Sequence, residues 1–194
     1  KYSNGKDRCL ATNVKLEDES YEYSFSWQGK GYRFQITTTR VHDEIQKPGI
    51  RAGGDTLVGS FYKRHEKECI SFVRSERQIA ADNFGFYNQA DPRQRWWSIE
   101  VSFDADADEL LGVHNNKQGV DFYFTDEVDP TEVFDEHTAS LQQAREQLWH
   151  ELTKRLERAR KAAWKEILAG HKRFVGTLGQ PTDEGPPLPG GTPI

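Results

Sequence analysis

A lysine in a polar, glycine-flanked loop is the residue of this chain best suited to binding an anion. The loop, Gly112-Val113-His114-Asn115-Asn116-Lys117-Gln118, follows a tryptophan-rich strand candidate at residues 95–103. A strand, a short acidic turn and a loop lysine can hold an ammonium group out towards an anion. The chain has no Gly-x-x-x-x-Gly-Lys motif, so this loop is not a P-loop that cradles phosphates. Lys117 is therefore expected to contact an anion through its own ammonium group, without a phosphate-binding backbone loop around it.

Two patterns that suggest a metal site depart from the ligand sets that metals need. Residues 104–108 alternate aspartate and alanine like the start of a calcium loop, but Glu109 replaces the turn glycine and Asn115 replaces the bidentate glutamate. Asp104 or Asp106 is instead expected to cap a short helix. The six histidines are scattered without a His-x-x-x-His spacing, so no zinc site is expected.

A second candidate for phosphate or base contacts is the pair Arg93 and Arg95 beside Trp96 and Trp97. Aromatic rings and guanidinium groups in this arrangement can stack on bases. The preferred interpretation is structural: adjacent tryptophans pack on opposite faces of a sheet, and the arginines form ion pairs.

Composition narrows the class of protein. The 194 residues carry a net charge of −5, whereas general nucleic-acid binders are usually basic. No apolar run reaches membrane-span length and no signal-peptide pattern opens the chain. Cys9 and Cys69 give neither a disulfide framework nor a metal motif. We therefore expect a reduced, soluble, cytoplasmic protein that does not contact membranes. Because the chain contains no methionine, we also expect it to be a fragment that lacks a neighbouring domain.

The first two-thirds of the chain have the pattern of β-strands. Residues 21–27 and 32–39 alternate apolar and polar side chains around a turn at residues 28–31, which predicts a hairpin. Residues 47–55 are expected to form a long loop and residues 56–62 a strand or a helical turn. Further strands are predicted at residues 69–74, 96–103 and 120–125.

The last third has helical character. Asp129-Pro130-Thr131-Glu132 has the residues of a helix start. Apolar residues then recur at helical spacing from about Ala139 to Ala169, a helix of about 30 residues and roughly 45 Å, with Gly170 as its stop. Trp149 and Trp164 lie off this stripe, so we expect them to mark a partner surface. The first half of the helix is expected to dock on its own domain and the second half to project.

These patterns predict an α+β fold with a mixed, largely antiparallel sheet, packed helices and a long C-terminal helix. The expected organisation is an α+β domain at residues 1–128, a helical extension at 129–175 and a disordered proline- and glycine-rich tail at 176–194.

Five segments together resemble one known family. They are residues 49–59, 70–77, 84–86, 91–103 and 112–118. In this order they are similar to the transducer, or middle, region of bacterial ATPases of the GHKL superfamily, which includes DNA gyrase B, MutL, the dimeric heat-shock chaperones and histidine kinases. The similarity covers about residues 21–118. The family's own nucleotide-binding motifs are missing from the chain, including an Asp-x-Gly-x-Gly sequence.

The resemblance implies a role for the lysine loop. Lys117 would be the catalytic lysine that contacts the γ-phosphate of ATP, with Asn115, Asn116 and Gln118 shaping the ATP-binding loop around it. ATP and Mg²⁺ would be held mainly by an upstream nucleotide-binding domain, the expected partner, so this chain alone would not be catalytic. The C-terminal helix would receive the signal and could mediate a homodimer or a contact with a partner protein.

Two hypotheses of different classes remain open. The first is this ATP-responsive transducer, acting on DNA, on a client protein as a chaperone does, or on a partner in phage defence. The second is a non-catalytic interaction or oligomerisation module in which Lys117 has no role. Nucleic-acid binding by this chain is not expected under either hypothesis.

Overall fold

The computed structural model describes residues 13–41, 69–86, 96–116, 118–121 and 134–178, with side chains as far as residue 170. Its elements are the strands β1 (Asn13–Lys15), β2 (Tyr21–Trp27), β3 (Lys30–Val41), β4 (Ile70–Arg74), β5 (Arg77–Asp82) and β6 (Trp97–Phe103), and the helices α1 (Asp108–Leu111) and α2 (Leu141–Leu178). Short 3-10 turns span Glu17–Glu19 and Ala105–Ala107. The fold is α+β, as the sequence predicts.

The described strands form one mixed sheet centred on the long strand β3. One edge of β3 pairs with β2 along its first half and with β1 at its end, and the other edge pairs with β6. The sheet continues from β6 through β4 to β5. Among the described strands only the β4–β6 pairing is parallel, so the prediction of a largely antiparallel sheet is confirmed.

The predicted first hairpin is present. Strand β2 alternates buried and exposed side chains, with Tyr23, Phe25 and Trp27 buried. The turn consists of two residues, Gln28 at φ 51° and Gly29 at φ 72°. Two central residues with positive φ match the right-handed twist of paired strands, which is why such turns favour hairpins.

Helix α2 packs its apolar stripe against one face of the sheet. The stripe is buried along its whole described length, at Ala144, Leu148, Leu152, Leu156, Ala159, Ala163 and Ile167. The prediction that the second half projects is therefore wrong as far as residue 170, because the stripe continues at the same spacing and stays covered.

Trp149 corrects the expectation of an exposed partner surface. Its side chain is fully buried, and its ring meets that of Phe72 on β4 edge-on, with centroids 5.6 Å apart. Trp164, in contrast, is half-buried. The buried arc of α2 is wider than the stripe read from the sequence because adjacent residues, Leu148 and Trp149, both face the domain.

The start of α2 lies within two residues of the prediction, but its end differs from it. The helix begins after Ser140, whose hydroxyl accepts the backbone N–H of Gln143 at 3.3 Å, while the Gln143 side chain accepts the backbone N–H of Ser140 at 2.9 Å. This reciprocal pair is a capping box. Gly170 is not a stop: it lies inside the helix and is buried. A glycine within a helix costs about 1 kcal/mol relative to alanine, which packing can offset.

The two adjacent tryptophans do not face opposite sides of the sheet. Trp96 precedes β6 with φ 78°, and both it and Trp97 belong to the same buried apolar cluster. The alternation of side chains between the two faces of a strand does not apply to Trp96, because β6 begins at Trp97. The predicted features at residues 47–62, 122–125 and 129–132, the arginines Arg93 and Arg95, and the tail lie outside the described residues.

Candidate functional site

The predicted lysine loop follows helix α1 directly. Gly112 ends α1 in the left-handed conformation, at φ 62°, and its N–H donates to the carbonyls of Asp108 and Glu109. A side chain here would also meet Asp121, since a Cβ on Gly112 would lie 2.8 Å from the Asp121 Cβ. The position therefore requires glycine for both its backbone angle and the space around it.

Beyond Gly112 the loop closes on itself. Val113 and Val120 form an antiparallel bridge, and the His114 N–H donates to the Gly119 carbonyl at 3.0 Å. The Asp121 N–H returns to the Gly112 carbonyl at 3.1 Å. Backbone hydrogen bonds thus hold both arms of a short hairpin-like loop.

The residues predicted to shape the phosphate-binding loop occupy the tip of this loop. Asn115, Asn116 and Gln118 are exposed, and the side-chain oxygen of Asn116 accepts the Gln118 N–H at 3.1 Å. This is a local side chain-to-backbone turn of the kind that asparagine favours. Lys117 lies outside the described residues, between the two residues that this bond connects.

A side-chain pair that the sequence analysis missed links the two arms. His114 Nε2 lies 2.8 Å from Asp121 Oδ1, with both side chains about half exposed. The imidazole packs over Gly119, where a Cβ would lie 2.6 Å from its Nδ1 atom. The sequence feature that could have indicated this pair is the position of the two residues on either side of a glycine-flanked lysine.

A second ion pair that the sequence analysis does not predict connects the helix before the loop to the sheet. Arg74 on β4 donates from Nε and Nη2 to the two carboxylate oxygens of Asp108, at 2.6 and 3.0 Å. The hydrogen bond with Asp108 raises the pKa of the Arg74 guanidinium, which stays charged at any physiological pH. The Asp108 carbonyl in turn accepts the Val113 N–H at 2.9 Å. The predicted cap, Asp104, does precede the helical turn, but its side chain makes no capping bond.

Helix α1 also connects the loop to α2. Leu110 and Leu111 are buried, and Arg145 on α2 donates from Nε to the Glu109 carbonyl at 2.6 Å. The loop, α1 and the first turns of α2 therefore form a continuous set of contacts.

Further along, α2 is clamped to strand β2. The Tyr23 hydroxyl donates to Glu151 at 2.7 Å, and the Arg155 guanidinium lies 3.9 Å from the centre of the Tyr23 ring. Burial, and then the hydrogen bond with Glu151, raises the pKa of Tyr23 above its ordinary value. One turn later Arg158 bonds Glu19 at 3.1 Å, and this bond raises the pKa of Arg158.

A groove among the described residues lies elsewhere, on the polar face of the sheet opposite α2. It has a volume of about 660 Å³ and is lined by Glu22, Arg33, Glu76, Glu100 and Asp104, with neutral side chains between them. Four carboxylates against one guanidinium repel a triphosphate, so the groove does not fit ATP. No group of three or more histidine, cysteine, aspartate or glutamate side chains among the described residues could hold a metal ion.

Within the same part of the chain, no helix combines the length and apolar character needed to cross a membrane. Comparison of the chain with family models, curated proteins and solved structures gave no match.

Proposed function

We propose that this chain is an ATP-responsive transducer module of a GHKL-type ATPase. In this proposal Lys117 contacts the γ-phosphate of ATP held by an adjoining nucleotide-binding domain, and the chain relays the nucleotide state to α2. The observation that carries the proposal is the closed loop from Gly112 to Asp121. Its arms are hydrogen-bonded to each other, and its polar tip flanks the lysine.

The chemistry of the loop suits a phosphate sensor. An ammonium group can make charge-assisted hydrogen bonds to a γ-phosphate, worth about 1.5–3 kcal/mol for a bond to a charged group. A closed loop loses little backbone entropy when its lysine binds. The contact exists only before hydrolysis, so it stabilises one arrangement of the two domains over another. Mg²⁺ would be bound by the adjoining domain and by the phosphates.

The contacts around the loop supply a route for the signal. Helix α1 carries the loop and is held by Arg74 on one side and by Arg145 of α2 on the other. A force on the lysine therefore acts on α2 through buried leucines and a short hydrogen bond. In this proposal the orientation of α2 reports whether the γ-phosphate is present.

The direct test is Lys117→Ala in a protein that joins this chain to its nucleotide-binding domain. Loss of one preorganised donor at a developing charge should lower ATP turnover on the order of 10²–10³-fold. The matched control is Lys165→Ala, which removes an exposed lysine from α2 and should leave turnover unchanged. Wild-type turnover in the Lys117 variant would reject the sensing role.

One observation favours the alternative, a non-catalytic interaction module. The groove on the polar sheet face offers a partner surface that the transducer role does not use. In that case Glu76→Lys and Glu100→Lys would weaken partner binding, while Lys117→Ala would change nothing. Pull-down of a defined partner with both sets of variants separates the two functions.

A further inference from the structure

We propose that the groove on the polar face of the sheet binds an extended, positively charged peptide segment of a partner protein. The groove crosses the sheet from β2 to β5 and has a volume of about 660 Å³. Peptide binding here rests on the alternative function above, that of an interaction module, and names the class of partner which that function leaves open. It is independent of nucleotide sensing.

The floor of the groove is a row of side chains that the strand register aligns across the sheet. Glu22 on β2 pairs with Gln35 on β3, which pairs with Ser102 on β6. Ser102 pairs with Val73 on β4, which pairs with Gln78 on β5. Paired residues on neighbouring strands share a face of the sheet, and these residues all line the groove. Four strand spacings make the row about 19 Å long, the length of about six residues of extended chain.

The neutral side chains of this row suit the backbone of an extended peptide. Gln35 and Gln78 are exposed on strands at opposite sides of the sheet's centre. Each carries an amide that both donates and accepts hydrogen bonds. A peptide offers the matching pair of groups, one N–H and one C=O, at almost every residue. A chain lying along the row can therefore bond to both amides.

The charged side chains of the groove favour a cation. Four exposed carboxylates and one guanidinium line it, those of Glu22, Glu76, Glu100, Asp104 and Arg33. In the part of the chain that the structure describes, none of the four carboxylates forms an ion pair. Complementary charge gives an interface its specificity, so the peptide should carry lysine or arginine side chains.

One of these carboxylates lies on a turn whose backbone favours other residues. Ser75 and Glu76, between β4 and β5, both have positive φ, at 44° and 66°. Turns with two such residues are usually formed by asparagine and glycine. Glutamate at the second position instead places a carboxylate at the groove. Departures from local preference of this kind are expected at functional sites.

Fluorescence anisotropy with a labelled peptide tests the groove on the intact 194-residue chain. The probe is a hexapeptide of alternating lysine and threonine, in which an extended backbone places all the lysines on one side. We expect saturable binding that weakens as salt is added. The same peptide with glutamate in place of lysine should not bind. Absence of saturation up to about 1 mM protein would overturn the proposed site.

Substitutions in the groove should change the affinity in opposite directions. Glu76→Gln and Glu100→Gln should each weaken binding about threefold, within what one exposed ion pair contributes. Arg33→Gln should strengthen binding about threefold, because it removes a repelling charge. The matched control is Glu166→Gln, which removes the same charge from the exposed side of α2 and should leave the affinity unchanged. Equal weakening by Glu166→Gln would mean that only the net charge of the chain matters.

Spermine separates peptide recognition from general attraction of cations. It is a flexible chain with four positive charges and no peptide groups. Gln78→Ala should weaken binding of the hexapeptide about threefold, because it removes a hydrogen bond to the peptide backbone. The same substitution should not affect spermine. If spermine binds as tightly as the hexapeptide and Gln78→Ala affects neither ligand, the groove is a general cation surface and the inference is wrong.

Failure of this inference and failure of the proposed functions give different results. If Glu76→Lys and Glu100→Lys lose a defined partner while the wild-type chain does not bind the hexapeptide, the interaction module stands and its peptide ligand is rejected. If the hexapeptide binds with the expected response of the groove variants, the peptide site stands whatever Lys117→Ala does to ATP turnover. Circular dichroism melting of each variant confirms that the domain stays folded.

Discussion

Replacing Trp149 by alanine tests whether α2 is an integral part of the folded domain. The side chain is fully buried, and its ring packs edge-on against that of Phe72 on β4. Truncating a buried tryptophan to alanine removes apolar contacts and leaves a cavity, at a cost of about 3–5 kcal/mol. The lost aromatic pair alone accounts for about 0.5–1.5 kcal/mol of this. We expect a loss of stability in that range.

Urea unfolding followed by far-ultraviolet circular dichroism measures this loss. In a domain of 150–250 residues each 1 kcal/mol shifts the melting temperature by about 2–4 °C, so a decrease of roughly 6–20 °C is expected. Leu168→Ala is the matched control, since Leu168 is an apolar residue on the same helix that is 38% exposed. Its cost should stay near 0.5 kcal/mol.

A different result would support the interpretation of Trp149 as a partner contact. If Trp149→Ala cost less than about 1 kcal/mol and instead abolished a concentration-dependent association in sedimentation, α2 would not be seated on β4 as described. The opposite outcome, a large loss with unchanged association state, would exclude a partner surface at this residue.

Two further predictions concern charge and nucleotide. The pKa of Tyr23 is raised in the folded state, so the unfolded chain loses this proton first as the pH rises. The contribution of Tyr23 to the free energy of unfolding should therefore be fully present below pH 10 and be lost as the pH rises further. Tyr23→Phe should flatten this fall in urea midpoints measured from pH 9 to 11.5; an unchanged slope would contradict it. The chain alone should not bind Mg-ATP in calorimetric titration, because an exposed ion pair contributes only about 0–1 kcal/mol; micromolar binding would mean that it contains a complete site.

The elements that could be predicted from the sequence are those determined by the pattern of apolar and polar residues within one short segment. The hairpin of β2 and β3 follows from strict alternation and a two-residue turn, and both are local properties. The start of α2 lies within two residues of the prediction. The apolar periodicity predicts its stripe but not the width of its buried face. A helix on a twisted sheet buries a broad arc, so Trp149 is covered although it lies beside the stripe.

The candidate site could be predicted only in part for a related reason. Asn116 and Gln118 form a local turn, which their residue types favour. The Arg74–Asp108 pair joins positions 34 residues apart, on a strand and a helix whose approach depends on the parallel pairing of β4 with β6. No local pattern indicates that pairing.

If the proposed function holds, the packing of α2 limits which movements the nucleotide state could cause in this chain. The helix has 38 residues and is roughly 57 Å long. It is held near its start by Arg145, six residues later by the Tyr23–Glu151 bond and near its middle by Arg158. Bending it would break several of these contacts at once. A gain of about 1.5–3 kcal/mol at Lys117 is too small for that, yet it suffices to shift a balanced two-state equilibrium more than tenfold. The signal should therefore turn the sheet, the loop and α2 together as one body relative to the nucleotide-binding domain, with α2 acting as a lever whose far end moves most.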